Sequence, residues 1–147
     1  MIPIESKLPN VGTTIFTVMS RLAEHAGALN LGQGFPDFEP PAAFAESLLH
    51  HIKAGRNQYA AMAGVPRLRE QIAKKLARDY GCALDSETSI TVTDGATEGL
   101  FDTIAAVVRP GDEVIVFDPC YDSYEPAALL QGGRVVHLPL EIGRAHV

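Results

Sequence analysis

"ITVTDGATEGLFDTIAAVV" (Ile90–Val108) reads as a short strand, a sharp turn through Asp94-Gly95 and then a helix. The strand runs over Ser89–Thr93. The helix starts near Ala96, aligns Ala96, Leu100, Ile104 and Val108 on one face, and ends at Pro110-Gly111. At such a start the backbone N–H groups of Gly95, Ala96 and Thr97 point into the space beyond the strand end. A helix N-terminus carries about half a positive charge and unpaired donors, which suits a phosphate. Gly95 lets the backbone approach closely, and the Thr97 hydroxyl adds a further bond. The turn alone is also readable as an ordinary helix cap, with Thr93 or Asp94 in the capping role.

Downstream, Val114–Asp118 and Arg134–Leu138 look like strands, and a helix is expected over about Ser123–Gln131 between them. "VIVF" is continuously apolar, as in a strand covered on both faces. Strand, helix, strand, helix, strand predicts parallel strands with right-handed crossovers, hence a three-layer α/β domain. Ligands of such sheets gather at the carboxyl ends of the strands. "FDPCYDSYEP" leaves Val114–Asp118 at that end. Tyr121 or Tyr124 there can lie flat on a planar heterocycle held by the phosphate turn, or simply fill the sheet top.

Upstream, three helices are expected. The first places Ile15, Val18, Leu22 and Ala26 on one face, with Thr13 as cap and Gly27 as its C-terminal stop. The second opens at Pro40-Pro41, carries Phe44, Leu48 and Ile52, and closes at Gly55. The third starts near Pro66, turns Leu68, Ile72 and Leu76 inward and stops at Gly81. Its Arg67, Arg69, Lys74, Lys75 and Arg78 form a solvated face on this reading. Strand content before Thr88 is limited to a short extended stretch at Ala28–Leu31. The connection "RNQYAAMAGVP" carries Tyr59, which on its own is readable as packing.

The 147 residues suffice for one domain with a core. Apolar residues make up 46% and charged residues 20%, ordinary for a globular protein. Net charge is −6 without a basic cluster, which argues against nucleic acid or an anionic membrane as partner. No apolar run approaches the ~20 residues of a membrane span. "MIPIESKLPN" lacks a secretory pattern, so a cytoplasmic location is expected. Cys82 and Cys120 lack CxxC spacing and read as two buried thiols in a reducing cytoplasm rather than metal ligands. No GKS or GKT follows the turn, so it is not a Walker loop. "LGQGFPDF" lacks the third glycine of a dinucleotide fingerprint, which disfavours a generic nucleotide-binding domain.

Taken together, these segments resemble the fold-type I, pyridoxal-phosphate-dependent aminotransferases of class I/II over about Pro9–Pro139. "LNLGQGFPDFEPP" is similar to their N-terminal signature, and "NQYAAMAGVPRLREQIA" to their tyrosine loop and Gly-x-x-x-Leu-Arg helix. "VTDGATEGL" resembles the phosphate turn, and "RPGDEVIVFDPCYDSYEP" the following strand and aromatic loop. The wording resembles methionine, kynurenine and glutamine-phenylpyruvate transaminases most, some of which also carry out cysteine-conjugate β-elimination. The resemblance implies an N-terminal arm and helix over residues 1–40, then the start of the large cofactor-binding α/β domain over 41–140. It implies that Gly95, Ala96 and Thr97 hold the phosphate of pyridoxal 5'-phosphate and that Tyr121 stacks on its ring. Tyr59 would reach the phosphate of a neighbouring subunit's cofactor, implying a homodimer. Gly34 would lie beside the substrate carboxylate, and Ile15 and Phe16 would edge the substrate pocket. Substrates would be an amino acid and a 2-oxo acid. A non-catalytic aminotransferase-like binding module is the alternative from another class.

The family's Schiff-base lysine has no counterpart here. The lysines are Lys7, Lys53, Lys74 and Lys75, and none is expected at a strand end. The chain therefore reads as an N-terminal fragment, expected to be inactive and to leave sheet edges and apolar faces uncovered. The last residues, "EIGRAHV", have neither family pattern nor apolar periodicity. Their back-translation matches the start of a common short-read sequencing adapter, so Glu141–Val147 is expected not to be encoded by the organism.

Overall fold

A computed structural model describes residues 5–34, 36 and 38–141. Phe35 and Asp37 of the "LGQGFPDF" signature, and residues 142–147 of the tail, lie outside the described residues. The elements are α1 (Ile15–His25), α2 (Ala42–Lys53), α3 (Pro66–Tyr80), α4 (Gly95–Val107), β1 (Glu113–Asp118), α5 (Tyr124–Leu130) and β2 (Arg134–Pro139). The chain divides into two units, residues 31–93 and residues 1–30 with 94–147.

In the second of these units β1 and β2 pair in parallel, from Glu113 opposite Arg134 to Asp118 opposite Pro139. The helix between them packs on both strands. Val116, Ala127 and Ala128 form the buried contact, small residues on α5 allowing close approach to the sheet. At the amino end of the strands Asp112 Oδ2 accepts the Arg109 N–H at 2.8 Å, and the Arg134 N–H donates to the Asp112 carbonyl at 2.7 Å. The parallel pairing and the helix joining the strands agree with the sequence pattern. However β1, expected to be covered on both faces, is covered on one: Val116 is buried against α5 while Ile115 and Phe117, which point the other way, are exposed.

The helix boundaries follow their stop signals. Thr14, one residue after the expected Thr13, caps α1 by accepting the Thr17 N–H at 3.3 Å. Thr14→Ala is expected to cost α1 about 1 kcal/mol, read as faster amide exchange in its first turn with little change in β1. Gly27 follows α1 with φ 58°, and Gly81 ends α3 with φ 66°.

Further expectations are corrected. Cys82, expected to be buried, is exposed, since it follows the helix stop at Gly81 and lies past the packed stripe of α3, and Cys120 is half-buried. Ser89–Thr93 is not a strand: among the described residues the sheet has two strands, Ser89 lies in a bend, and the segment forms no ladder. A strand needs a neighbour for its backbone groups, and what Val92 finds is the Ala63 carbonyl, at 3.0 Å. Ala28–Leu31 forms no strand either. On α3 the inward stripe is Arg69, Ile72, Ala73 and Leu76, at helical spacing. Leu68, expected inward, is 47% exposed, while Arg69, expected in solvent, is 4% exposed. Arg69 turns inward because it has carbonyls to bind, Ser86 at 2.7 Å and Glu87 at 3.3 Å. The apolar residues Ile15, Val18 and Leu22 of α1, and Phe44, Leu48 and Ile52 of α2, remain exposed.

Gly64, ahead of α3, has φ +99°, and a Cβ there would stand 2.6 Å from the Val92 side chain. Only glycine admits this approach, which lays Val92 against the loop before α3.

Candidate functional site

The turn at the start of α4 is built by glycine and acid. Gly95 has φ +84°, the left-handed region, and a Cβ on it would meet nothing within 4 Å. Space is therefore open where the backbone bends into the helix. Asp94 is the cap residue, but its side chain makes no capping bond. The Glu98 carboxylate instead accepts the Asp94 N–H. Asp94, one of the two residues considered for a side-chain cap, therefore does not fill that role in α4. Glu98 was not singled out by the sequence. An acid one turn into a helix, reaching back to the cap N–H, is the signal that marks it.

β1 ends at Asp118, and the following loop brings Tyr121 back to α4. The Tyr121 hydroxyl lies 2.9 Å from the Thr97 hydroxyl. Hydrogen bonds to Thr97 first, then Ser123, hold the Tyr121 phenol below its ordinary value of 10, against desolvation and the Asp122 charge. Tyr124 meets the Tyr121 ring edge-on, with centroids 5.7 Å apart and planes at 77°. Of the two tyrosines considered, Tyr121 therefore faces the turn while Tyr124 buttresses it.

A cavity of about 520 Å³ opens here, lined by Thr97, Phe101, Tyr121, Glu125 and the arm residues Val11–Ile15. Its wall is chiefly apolar, with hydroxyls and carboxylates at fixed points, as small-molecule sites are. Ile15 thus joins Thr97 and Tyr121 around one space. Phe16, the next residue, is 38% exposed and is not among the lining residues. Gly95 and Ala96 are exposed in the first turn of α4. Gly34 and Tyr59 belong to the 31–93 unit. Tyr59 is fully exposed, and a Cβ on Gly34 would meet nothing within 4 Å. The four lysines lie in the arm and on α2 and α3, none at a strand end.

The residues present fit a phosphorylated planar heterocycle. The helix start at Gly95 turns the positive end of the α4 dipole toward an anion, and an aromatic ring tied to that same helix offers a flat apolar face. Among the described residues no group of His, Cys, Asp and Glu side chains is placed to hold a metal ion, and no helix is long and apolar enough to cross a membrane.

Residues 26–143 match the aminotransferase class I and II family. The methionine aminotransferase of Escherichia coli (strain K12) is 57% identical over 137 residues, 93% of this chain and 36% of that protein. Kynurenine–oxoglutarate transaminase 1 of Rattus norvegicus is 35% identical over 138 residues, 92% of this chain and 32% of that protein. Among solved structures, the Escherichia coli protein YbdL, identified as having a methionine aminotransferase function, superimposes with a TM-score of 0.92 at 55% identity. That match covers 100% of this chain and 38% of the other. N-Succinyldiaminopimelate aminotransferase from Mycobacterium tuberculosis gives 0.86 at 40% identity, covering 95% of this chain and 36% of the other.

The chain spans about a third of the length of these relatives. Its architecture is the N-terminal part of their α/β fold. With the match running over most of its residues, the chain belongs to the aminotransferase class I and II family, whose members are pyridoxal-phosphate-dependent enzymes.

Proposed function

We propose that this chain supplies the phosphate turn and ring-facing aromatic of an enzyme that moves an amino group from methionine, an aromatic or a similar amino acid to a 2-oxo acid. The observation that carries the reading is the 2.9 Å bond between the Thr97 and Tyr121 hydroxyls. It joins the anion-binding end of α4 to the aromatic loop, as a single ligand with a phosphate and a flat ring requires. Identity of 57% to a methionine aminotransferase supports the substrate class.

The N–H groups of Gly95, Ala96 and Thr97 hold the phosphate, and the Tyr121 face lies against the ring. When bound, pyridoxal 5'-phosphate supplies an electron sink for the amino-acid α-carbon. With an anion at the turn, Thr97 directs its O–H to the anion and accepts the Tyr121 O–H, so the two hydroxyls reinforce one another. Ile15 and Phe16 of the arm border the amino-acid side chain, and Gly34 leaves room for its carboxylate. Tyr59, free of neighbours that would cover it, reaches the phosphate of a second subunit in a homodimer. The reaction further needs a lysine that none of Lys7, Lys53, Lys74 and Lys75 provides by position, so this chain alone does not transaminate. A cytoplasmic setting suits its two free cysteines.

Titration of the chain with pyridoxal 5'-phosphate, followed by the cofactor's absorbance and by tyrosine emission, tests the reading. The expected result is saturable binding that inorganic phosphate reverses, without turnover of methionine. Binding no tighter than to a Gly95→Val variant, or turnover by the chain alone, would overturn it.

A further inference from the structure

We infer that His137 is a positioning residue that clamps both ends of the Tyr121 loop and releases one end when its imidazole loses a proton. The loop leaves β1 at Asp118 and enters α5 at Tyr124, so Asp118 and Glu125 bracket it. His137, on β2, reaches both brackets. Its Nδ1 lies 3.0 Å from Asp118 Oδ1, and its Nε2 lies 3.8 Å from Glu125 Oε1. The first is a hydrogen bond, with the imidazole donating; the second is a charge contact, too long for a hydrogen bond. The elements packed against β2 are β1 and α5. Asp118 from the one and Glu125 from the other are the charged groups that face His137.

Geometry sets what protonation does. A charged imidazole is a donor at both nitrogens, and a neutral one at a single nitrogen. On proton loss the Nδ1–H stays with Asp118, the shorter contact, and the Nε2 lone pair is left facing the Glu125 carboxylate. Attraction at the α5 end of the loop ends, and two carboxylates then flank a neutral ring.

The hydrogen bond from Asp118 first, and the charges of Asp118 and Glu125, raise His137 above its ordinary value of 6.5 against opposing desolvation. A raised folded value means that the clamp is fully present below 6.5 and is lost as pH rises through the folded value. All three side chains are 40–47% exposed, so the clamp is worth what a partly screened pair is worth.

The consequence for cofactor binding rests on the proposed role of Tyr121; the clamp itself does not. Glu125 also lines the cavity that Thr97 and Tyr121 share. Release of the α5 end therefore loosens the ring-facing residue and the cavity wall together.

Amide hydrogen exchange of Cys120–Ser123, corrected for its intrinsic pH dependence, tests this between about pH 5.5 and about pH 8.5, either side of the histidine range. Loop protection in the full chain is expected to fall roughly two- to five-fold, as loss of one exposed ion pair allows. Its midpoint should coincide with the His137 ring titration seen by NMR, and His137→Gln should show no such step. A step that persists in His137→Gln, or a loop midpoint separate from that of the His137 ring, overturns the inference. The second comparison needs only the unaltered chain, so a variant that fails to fold does not rescue the idea. Affinity for pyridoxal 5'-phosphate should weaken over the same interval. Loop release without any change in affinity would uphold the clamp and remove Tyr121 from the cofactor site.

Discussion

Replacing Arg69 with alanine is expected to lower the stability of the 31–93 unit by about 2–4 kcal/mol. The guanidinium is 4% exposed and donates to the Ser86 carbonyl at 2.7 Å and the Glu87 carbonyl at 3.3 Å, with the Glu87 carboxylate at 3.3 Å and 3.4 Å. Each bond from a charged donor to a neutral acceptor is worth about 1.5–3 kcal/mol. The sum is reduced because Arg69 Nε is buried without a partner, a cost the native fold already bears. Truncation also leaves a void in the stripe shared with Ile72, Ala73 and Leu76.

Glu87 contributes less than its contacts suggest. Its side chain is 65% exposed, so its charge is well solvated with or without Arg69. Glu87→Gln should therefore cost under about 1 kcal/mol. Arg69→Met, which keeps volume and loses the carbonyl bonds, should fall between the two. Native-state exchange of the α3 amides measures all three. If Glu87→Gln costs as much as Arg69→Ala, the ion pair rather than the backbone carbonyls holds the segment, and the account is wrong.

This arginine also shows where sequence reading stops. The periodicity of α3 placed Ile72 and Leu76 correctly, because a 3.6-residue repeat marks a face. It does not say which of two neighbouring residues, Leu68 or Arg69, completes that face. Carbonyls seventeen and eighteen residues away made the choice, and such distant acceptors leave no trace in local pattern. Ser89–Thr93 failed for a related reason. Its β-branched residues suit a strand, but a strand is a property of two segments, and the loop beside Val92 gives it a single backbone bond from the Ala63 carbonyl rather than a ladder. By contrast the stops at Gly27, Gly81 and Pro110-Gly111 were legible, since each acts through its own backbone. Thr97 and Tyr121 were legible as candidates because a helix start and a strand exit meet at one end of a parallel sheet. The bond between them depends on where the folded loop carries Tyr121, which local sequence pattern does not set.

Tyr121→Ala is expected to weaken binding of pyridoxal 5'-phosphate by roughly 5- to 150-fold, the range of about 1–3 kcal/mol for stacking of a planar heterocycle on an aromatic side chain. Tyr121→Phe keeps the face and loses the hydroxyl, so its expected loss is only about 2- to 10-fold, that of one neutral hydrogen bond. Thr97→Val removes the same bond from the other side together with a donor to the phosphate, and should fall between the two. Because Thr97 and Tyr121 share one bond, their effects should not add. Tyr121→Phe with Thr97→Val is expected to cost little more than Thr97→Val alone, the mark of two groups acting as one unit. Pyridoxal without its phosphate separates the parts further: Tyr121→Ala should still weaken it, whereas Thr97→Val should matter far less. Equilibrium titration of each variant against both ligands gives every value needed. Full additivity would mean that the 2.9 Å bond has no part in holding the ligand. Equal losses for phenylalanine and alanine at Tyr121 would mean that its ring does not lie against the heterocycle, and that the loop serves the turn through its hydroxyl alone.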